Sequence, residues 1–422
     1  MASFTFQILS CRTQAHHDGG ITLAFNISGA ATHEAGPLWG TMNAVQKSEV
    51  LLHAEEWLQA WGTFYTPPQP LVHEPRQSGI EATLQARMLS QRHRSFFNAY
   101  RFLDLLFHEI PGDGKLNLAV EILLTALHND NNTRMEVKDA EGILSASRPL
   151  TIDDAIMANL VNLALELKDC LVAPFRRLHK DTPSVSSVHS DPSGFTPAIN
   201  QSTHDRLSIL REKVLTRDND RCVVSGAGDE SLVDYLNDEE LSLFQSFATL
   251  ECCHVFPHAL NGEAASSEAK VQIWSLLDFI SPGVSHELQG VEIDSPKNAI
   301  TLRQELHTLF GQLKLWFTEK EVLEDGVVYK LETGNRLRVS PGFWPKDDLV
   351  ILRTRDGIDA PSRRLLEIHR ALAVAASLSG AGTDIDKLLR DEADLAVLAQ
   401  DGSTADTLGS LLNIAISKRP CE

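Results

Sequence analysis

Long apolar runs, paired cysteines and glycine-rich loops are all missing from this 422-residue chain, and each absence removes a class of protein. The longest apolar stretches, such as Leu160 to Val172, are broken by Asn162, Glu166, Lys168 and Asp169. A bilayer span needs about 20 consecutive apolar residues, so none is expected. No basic-then-apolar N-terminal segment ends in a small-residue cleavage site, which argues against a secretory signal. The six cysteines, at positions 11, 170, 222, 252, 253 and 421, form no Cys-x-x-Cys element and no spaced framework. That argues against a zinc ribbon and points to a reducing intracellular compartment, cytoplasmic or nuclear. No phosphate-cradling glycine loop, Gly-x-Ser-x-Gly elbow or His-Glu-x-x-His helix occurs. The interleaving of exposed aromatics with basic residues that marks single-strand binders is absent, and there is no internal repeat.

Positive charge is scarce as well. Lys and Arg number 38 against 57 Asp and Glu, for a net charge of −19. Residues 201–320 hold 10 basic and 19 acidic side chains, a net −9, which leaves −10 for the rest. A protein that grips nucleic acid draws most of its affinity from cations that displace counterions. Nucleic acid is therefore a disfavoured partner on charge, and a small-molecule substrate stays open beside it. Nothing in the sequence speaks to oligomeric state.

With 43% hydrophobic residues the chain can bury two or three cores. Phe4–Leu9 and Ile21–Ile27 alternate like strands around Asp18-Gly19-Gly20, a turn signal, and predict a small hairpin. From Thr41 the period becomes helical: Val45, Val50, Leu51, Ala54, Trp57, Leu58 and Trp61 recur every three to four residues, with Gly62 as the stop. Further helices are expected over Ile80–Phe107, Leu116–Leu127 and from a cap at Thr151 through Leu171. Residues 1–180 thus read as a mainly helical region. The Ser-, Pro- and Thr-rich stretch 181–203 reads as a linker. A module over 204–330 follows, led in by a helix at Leu207–Val214. Residues 331–422 supply strands and helices that pack on it, with β-structure over 312–355 and helices at Ser362–Leu378 and Thr383–Leu398. The fold class is α+β.

The chemistry concentrates between Cys222 and Phe310. The words are Arg221-Cys222-Val223-Val224-Ser225-Gly226, then Cys252-Cys253-His254-Val255-Phe256-Pro257-His258, then Asn298-Ala299-Ile300-Thr301-Leu302 and Glu305-Leu306-His307-Thr308-Leu309-Phe310. This order resembles the HNH (ββα-metal) nucleases, closest to the variant common in fungal proteins. The resemblance implies a ββα-metal module in which a divalent cation (Mg²⁺, Mn²⁺ or Zn²⁺) assists phosphodiester hydrolysis. His254 would be the general base at a strand end, since a neutral imidazole titrates near working pH. Asn298, taken to enter a helix, would orient it through the nearby backbone or a ring nitrogen. His307, nine residues on and about two and a half helical turns away, would hold the metal. Two positions depart from the family pattern. Cys253 stands where many relatives have a second metal ligand, and Gly311 where they commonly have Asp. A thiolate at Cys253 would suit zinc better than magnesium. His258 is a further candidate for metal or phosphate contact. The altered positions and the acidity motivate a second reading: an HNH scaffold repurposed for a small molecule, or a catalytically inactive interaction module.

Other features carry less. His16-His17 form a weak metal motif. Arg87, Arg92, His93 and Arg94, with Arg176-Arg177 and Arg363-Arg364, are the basic groups best placed in sequence for phosphate contact. Cys222 reads as a buried strand residue and Ser225-Gly226 as a turn.

Overall fold

The computed structural model describes residues 12–15, 21–24, 42–65, 97–126, 152–178, 203–260, 267–334 and 343–395. They are mixed α+β and divide into two compact units. One comprises Met1–His108, Gly112–Ala173 and Leu378–Glu422; the other comprises Glu109–Pro111 and Pro174–Ser377. Among the described residues no helix is long and apolar enough to cross a membrane.

The first unit is mainly helical. Its hairpin pairs β1 (Arg12–Ala15) with β2 (Ile21–Ala24). The partner of β2 is therefore not Phe4–Leu9, which lies outside the described residues, as do His16-His17. Helix α1 (Ala44–Phe64) starts at a capping box: Asn43 accepts from the Gln46 N–H, and the Gln46 side chain accepts from the Asn43 N–H. Val50, Ala54, Trp57, Leu58 and Trp61 form its buried face. Gly62 does not stop this helix. A Cβ there would stand 2.5 Å from the Tyr100 ring, so the glycine permits a close approach by α2 (Ala99–Glu109). Helix α3 (Gly112–Ala126) is buried on every side from Leu116 to Leu124. Helix α4 (Asp154–Leu167) is capped by Asp153, which accepts from the Ile156 N–H at 2.8 Å, and not by Thr151. It passes directly into a π-helical turn, Lys168–Val172.

The second unit is built around an antiparallel strand pair and the helix that follows it. Helix α5 (Thr203–Arg217) buries Leu207, Leu210 and Val214, one face at helical spacing. The next residues turn at Cys222–Gly226, where Gly226 takes φ +71°. Cys222 is buried in that turn rather than in a strand, and the Val223 N–H donates to the Thr301 carbonyl at 3.0 Å. Short strands β3 (Gly228–Asp229) and β4 (Phe247–Ala248) pair in parallel. Strand β5 (Leu250–His254) then pairs antiparallel with β6 (Ala299–Arg303), with Cys253 opposite Ile300 and His254 opposite Ala299. Helix α6 (Ser267–Ile280) and two short 3₁₀ segments, Gly290–Asp294 and Pro296–Asn298, lie between them in sequence. Helix α7 (Gln304–Gly311) leaves the end of β6.

Asn298 therefore ends a 3₁₀ turn and opens a strand; it does not enter a helix. His307 is reached through five strand residues and the first turn of α7, not along one continuous helix. The β-branched and apolar run Ala299-Ile300-Thr301-Leu302 favours the strand, because each residue packs in a fully buried sheet position.

Beyond α7, strands β7 (Leu315–Val322), β8 (Gly326–Thr333) and β9 (Leu349–Arg353) form an antiparallel sheet in the order β7-β8-β9. Helix α8 (Arg363–Leu378) buries His369, whose ring stacks on Phe310 with centroids 3.8 Å apart. Its Nε2 lies 3.0 Å from the Phe310 carbonyl oxygen, which anchors the helix that carries His307. Helix α9 (Ala381–Leu395) belongs with the first unit.

Candidate functional site

His254 closes β5, and the chain turns at once through Phe256-Pro257 into the 3₁₀ turn His258–Leu260. The turn brings His258 back beside His254, with ring centroids 5.8 Å apart. Both histidines meet Asp294, at the end of the 3₁₀ segment that precedes β6. His254 Nε2 lies 3.2 Å and His258 Nδ1 2.7 Å from Asp294 Oδ1. On the other oxygen, Arg206 of α5 donates from Nε to Oδ2 at 3.3 Å. The Asp294 side chain is 2% exposed and the His254 side chain 3%.

Burial disfavours charge on Asp294, yet the hydrogen bonds from His254 and His258 outweigh it and hold the carboxyl well below the usual carboxylate range. His254 responds the opposite way. Burial lowers its pKa, and the bond and charge of Asp294 oppose that only in part; the neighbouring His258 and His307 add to the lowering. The imidazole is thus neutral at neutral pH. Its Nδ1 is buried with no hydrogen-bond partner among the described residues.

Asn298 touches neither imidazole through these contacts. Its Oδ1 accepts from the Phe256 N–H at 2.8 Å, and its Nδ2 donates to the Phe256 and Ile293 carbonyls at 3.0 and 2.9 Å. Phe256 follows His254 by two residues and Ile293 adjoins Asp294. One fully buried amide thus ties together the two loops that carry the facing groups.

His307, partly buried on α7, meets a different carboxylate: its Nδ1 lies 2.5 Å from Glu251 Oε2. Glu251 sits three residues before His254 on β5. Cys253 joins neither group. It is fully buried, its Sγ lies 3.7 Å from its neighbour's carbonyl oxygen, and burial pushes its thiol well above the ordinary value. Burial raises Cys252 as well, to about 12. The structure so gathers His254 and His258 around Asp294, and His307 beside Glu251.

Neither carboxylate was singled out in the sequence. With 57 acidic residues, nothing marked these two. Position on the same strand as His254 was the one available hint for Glu251.

The ligand atoms of His254, His258 and Asp294 lie within 4.8 Å of one another, close enough for a single ion to be shared. Two imidazoles and a carboxylate suit a first-row ion such as Zn²⁺ or Mn²⁺ better than Mg²⁺. Three of the basic groups named from the sequence have partners within the chain. Arg176 donates to the Gln312 carbonyl, Arg363 pairs with Glu319 through two bonds of 2.8 and 2.6 Å, and Arg364 pairs with Glu287. Arg87, Arg92, His93 and Arg94 lie outside the described residues.

A strand ending in histidine, an asparagine opening its antiparallel partner and a helix with a second histidine make up a ββα unit. Residues 222–318 match the family model described as HNH endonuclease, from the Cys222 turn into β7. No curated protein and no solved structure matches the chain.

Proposed function

We propose that this protein is a metal-dependent HNH-type endonuclease that hydrolyses phosphodiester bonds within a reducing cell compartment. The observation that carries the reading is the ββα unit itself: His254 at the strand end, the Asn298 tie behind it and His307 on the following helix, all within residues that match an HNH endonuclease domain. In this reading neutral His254 is the general base, Asn298 fixes the loop that aims it, and His307 holds the divalent ion with Glu251 beside it. When bound, such an ion would neutralise charge on the departing oxygen. His258 is a neighbour of the base rather than its substitute.

The test is direct. Purified protein is incubated with supercoiled plasmid and with single-stranded DNA in Mg²⁺, Mn²⁺ or Zn²⁺. Cleavage that depends on a metal and falls by about 10²-fold or more in His254→Ala supports the reading. Its absence under all three ions, or its persistence in His254→Ala, overturns it.

A second reading is favoured by two specific observations. His254 Nδ1 is sealed within the protein, and residues 201–320 carry a net charge of −9 while Arg176, Arg363 and Arg364, outside that stretch, already serve carbonyl and carboxylate partners of the same chain. Both would suit an HNH scaffold turned to a small molecule or to protein interaction. Binding of nucleic acid that is weak, and equally weak at low salt, would favour it.

A further inference from the structure

A cavity of about 930 Å³ opens within the second unit, between residues 286–297, the β7–β8 turn at 322–327 and residues 354–365. None of His254, His258, Asp294 and His307 lines it, so it is separate from the candidate catalytic site. The volume falls near the upper end of the range for ligand pockets, roughly 300–1,000 Å³.

Its lining joins an apolar floor to a charged rim. Leu288, Val327, Pro361 and Leu365 are its buried residues, while Val322, the last residue of β7, is 54% exposed. Such a floor stabilises an occupant that brings apolar surface of its own. The cations of the rim are already taken. Lys297 pairs with Asp359 at 3.6 Å, and Arg363 with Glu319 through two bonds of 2.8 and 2.6 Å. Of the other lining carboxylates, Glu287 takes Arg364 and Asp325 takes Arg353. Glu292, on the 3₁₀ segment Gly290–Asp294, and Glu324, in the hairpin turn, have no such cation among the described residues. Two negative charges therefore stand uncompensated, on two different walls.

That pattern selects the occupant. An anion, nucleic acid included, would meet Glu292 and Glu324 with no free cation to hold it. A small amine would leave the floor wet and most of the volume unfilled. A peptide with an apolar side chain between two basic ones meets both features.

We infer that this cavity docks a short basic peptide segment of another protein, with an apolar side chain on the Leu288–Leu365 floor and Lys or Arg side chains at Glu292 and Glu324. The inference goes beyond the nuclease reading and stands whether or not the protein cleaves nucleic acid.

The experiment uses the full chain. Random twelve-residue peptides displayed on phage are selected on immobilised protein, and the most enriched one is synthesised with a fluorescent label and titrated by polarisation. Enriched sequences should carry Lys or Arg on both sides of a large apolar residue, and binding should weaken as salt is raised. The double variant Glu292→Lys, Glu324→Lys should weaken binding by about 10-fold or more. Ala360→Trp, which fills the cavity without changing charge, should do the same. Asp238→Lys with Glu239→Lys, on an exposed acidic turn outside the cavity, should leave the affinity within about twofold. No enrichment, or enrichment of acidic or purely apolar peptides, overturns the assignment. So does equal weakening by the Asp238 and Glu239 reversal, or unchanged affinity in both cavity variants. Displacement by spermidine at concentrations matching the peptide's own would give the cavity to a small amine, and a dimer in sedimentation that Ala360→Trp dissolves would give it to a second copy. Either result overturns it as well. If Ala360→Trp does not fold, the charge variants, which alter exposed residues alone, still decide.

Discussion

Asn298 holds Phe256 by both of its backbone polar groups, accepting from the N–H at 2.8 Å and donating to the carbonyl at 3.0 Å across 42 residues of sequence. A third bond from the same side chain to the Ile293 carbonyl closes the arrangement. The amide is the one side chain that can accept from an N–H while donating to two carbonyls. It sets the separation of His254 from Asp294 by fixing the backbone beside each.

Replacing this amide should be costly for stability as well as activity. Asn298→Ala strands two buried carbonyls and one N–H, and unfolding in urea should show a loss of about 3–5 kcal/mol. Asn298→Asp should not rescue it, because a second oxygen would then face the Phe256 and Ile293 carbonyls. Stability equal to the parent in either variant would show that the tie is dispensable.

Arg217 makes an independent anchor for the site. Its buried guanidinium donates to the Pro296, Asp359 and Ala299 carbonyls at 2.9, 3.1 and 2.9 Å, and forks onto Asp218 at 2.8 and 2.9 Å. Lys has neither the planar fork nor enough donors in place. Arg217→Lys should therefore cost about 2–4 kcal/mol in the same urea assay. A change within about 0.5 kcal/mol, the range of ordinary surface substitutions, would contradict this.

The helical unit contains an acid that should make stability fall with rising pH. Burial pushes Glu166 up to about 9 from 4.5, and the charges of Glu121 and Asp169 add to the shift. A raised folded-state pKa means that the neutral form is favoured. Stability is full below 4.5 and lost as pH climbs toward 9. Glu166→Gln should abolish this slope and melt higher at about pH 8, by an increment on the order of 2–4 kcal/mol. Parallel pH–stability curves for the two proteins would disprove the assignment.

Cys253 should be silent as a ligand. Its thiol is fully buried and its ionisation strongly disfavoured, and a metal ligand must be the thiolate. Cys253→Ala should cost about 1 kcal/mol for the vacated volume and leave metal-dependent cleavage unchanged, while His307→Ala abolishes it. Loss of metal affinity in a well-folded Cys253→Ala would reinstate the thiolate.

Much of the local architecture was legible because its causes are local. The periodic apolar residues of α1 and α5, the turn at Ser225-Gly226 and the three strands of 312–355 follow from patterning of neighbours. Boundaries misread at Gly62 and Thr151 turned on a ring packed against a backbone and on which of two nearby polar residues reached the N–H. Asn298 was misread as entering a helix because asparagine caps helices often, whereas the buried sheet register of Ala299–Leu302 decided for a strand.

By itself the sequence determined that His254, Asn298 and His307 occur in HNH order on a ββα segment, since those words are carried by adjacent residues. Only the tertiary structure decided which partners they meet. Asp294 reaches His254 across 40 residues and His258 across 36, and Glu251 reaches His307 across 56. A carboxylate's effect on an imidazole depends on a separation of about 3 Å and on exclusion of water, and neither is written in residue order.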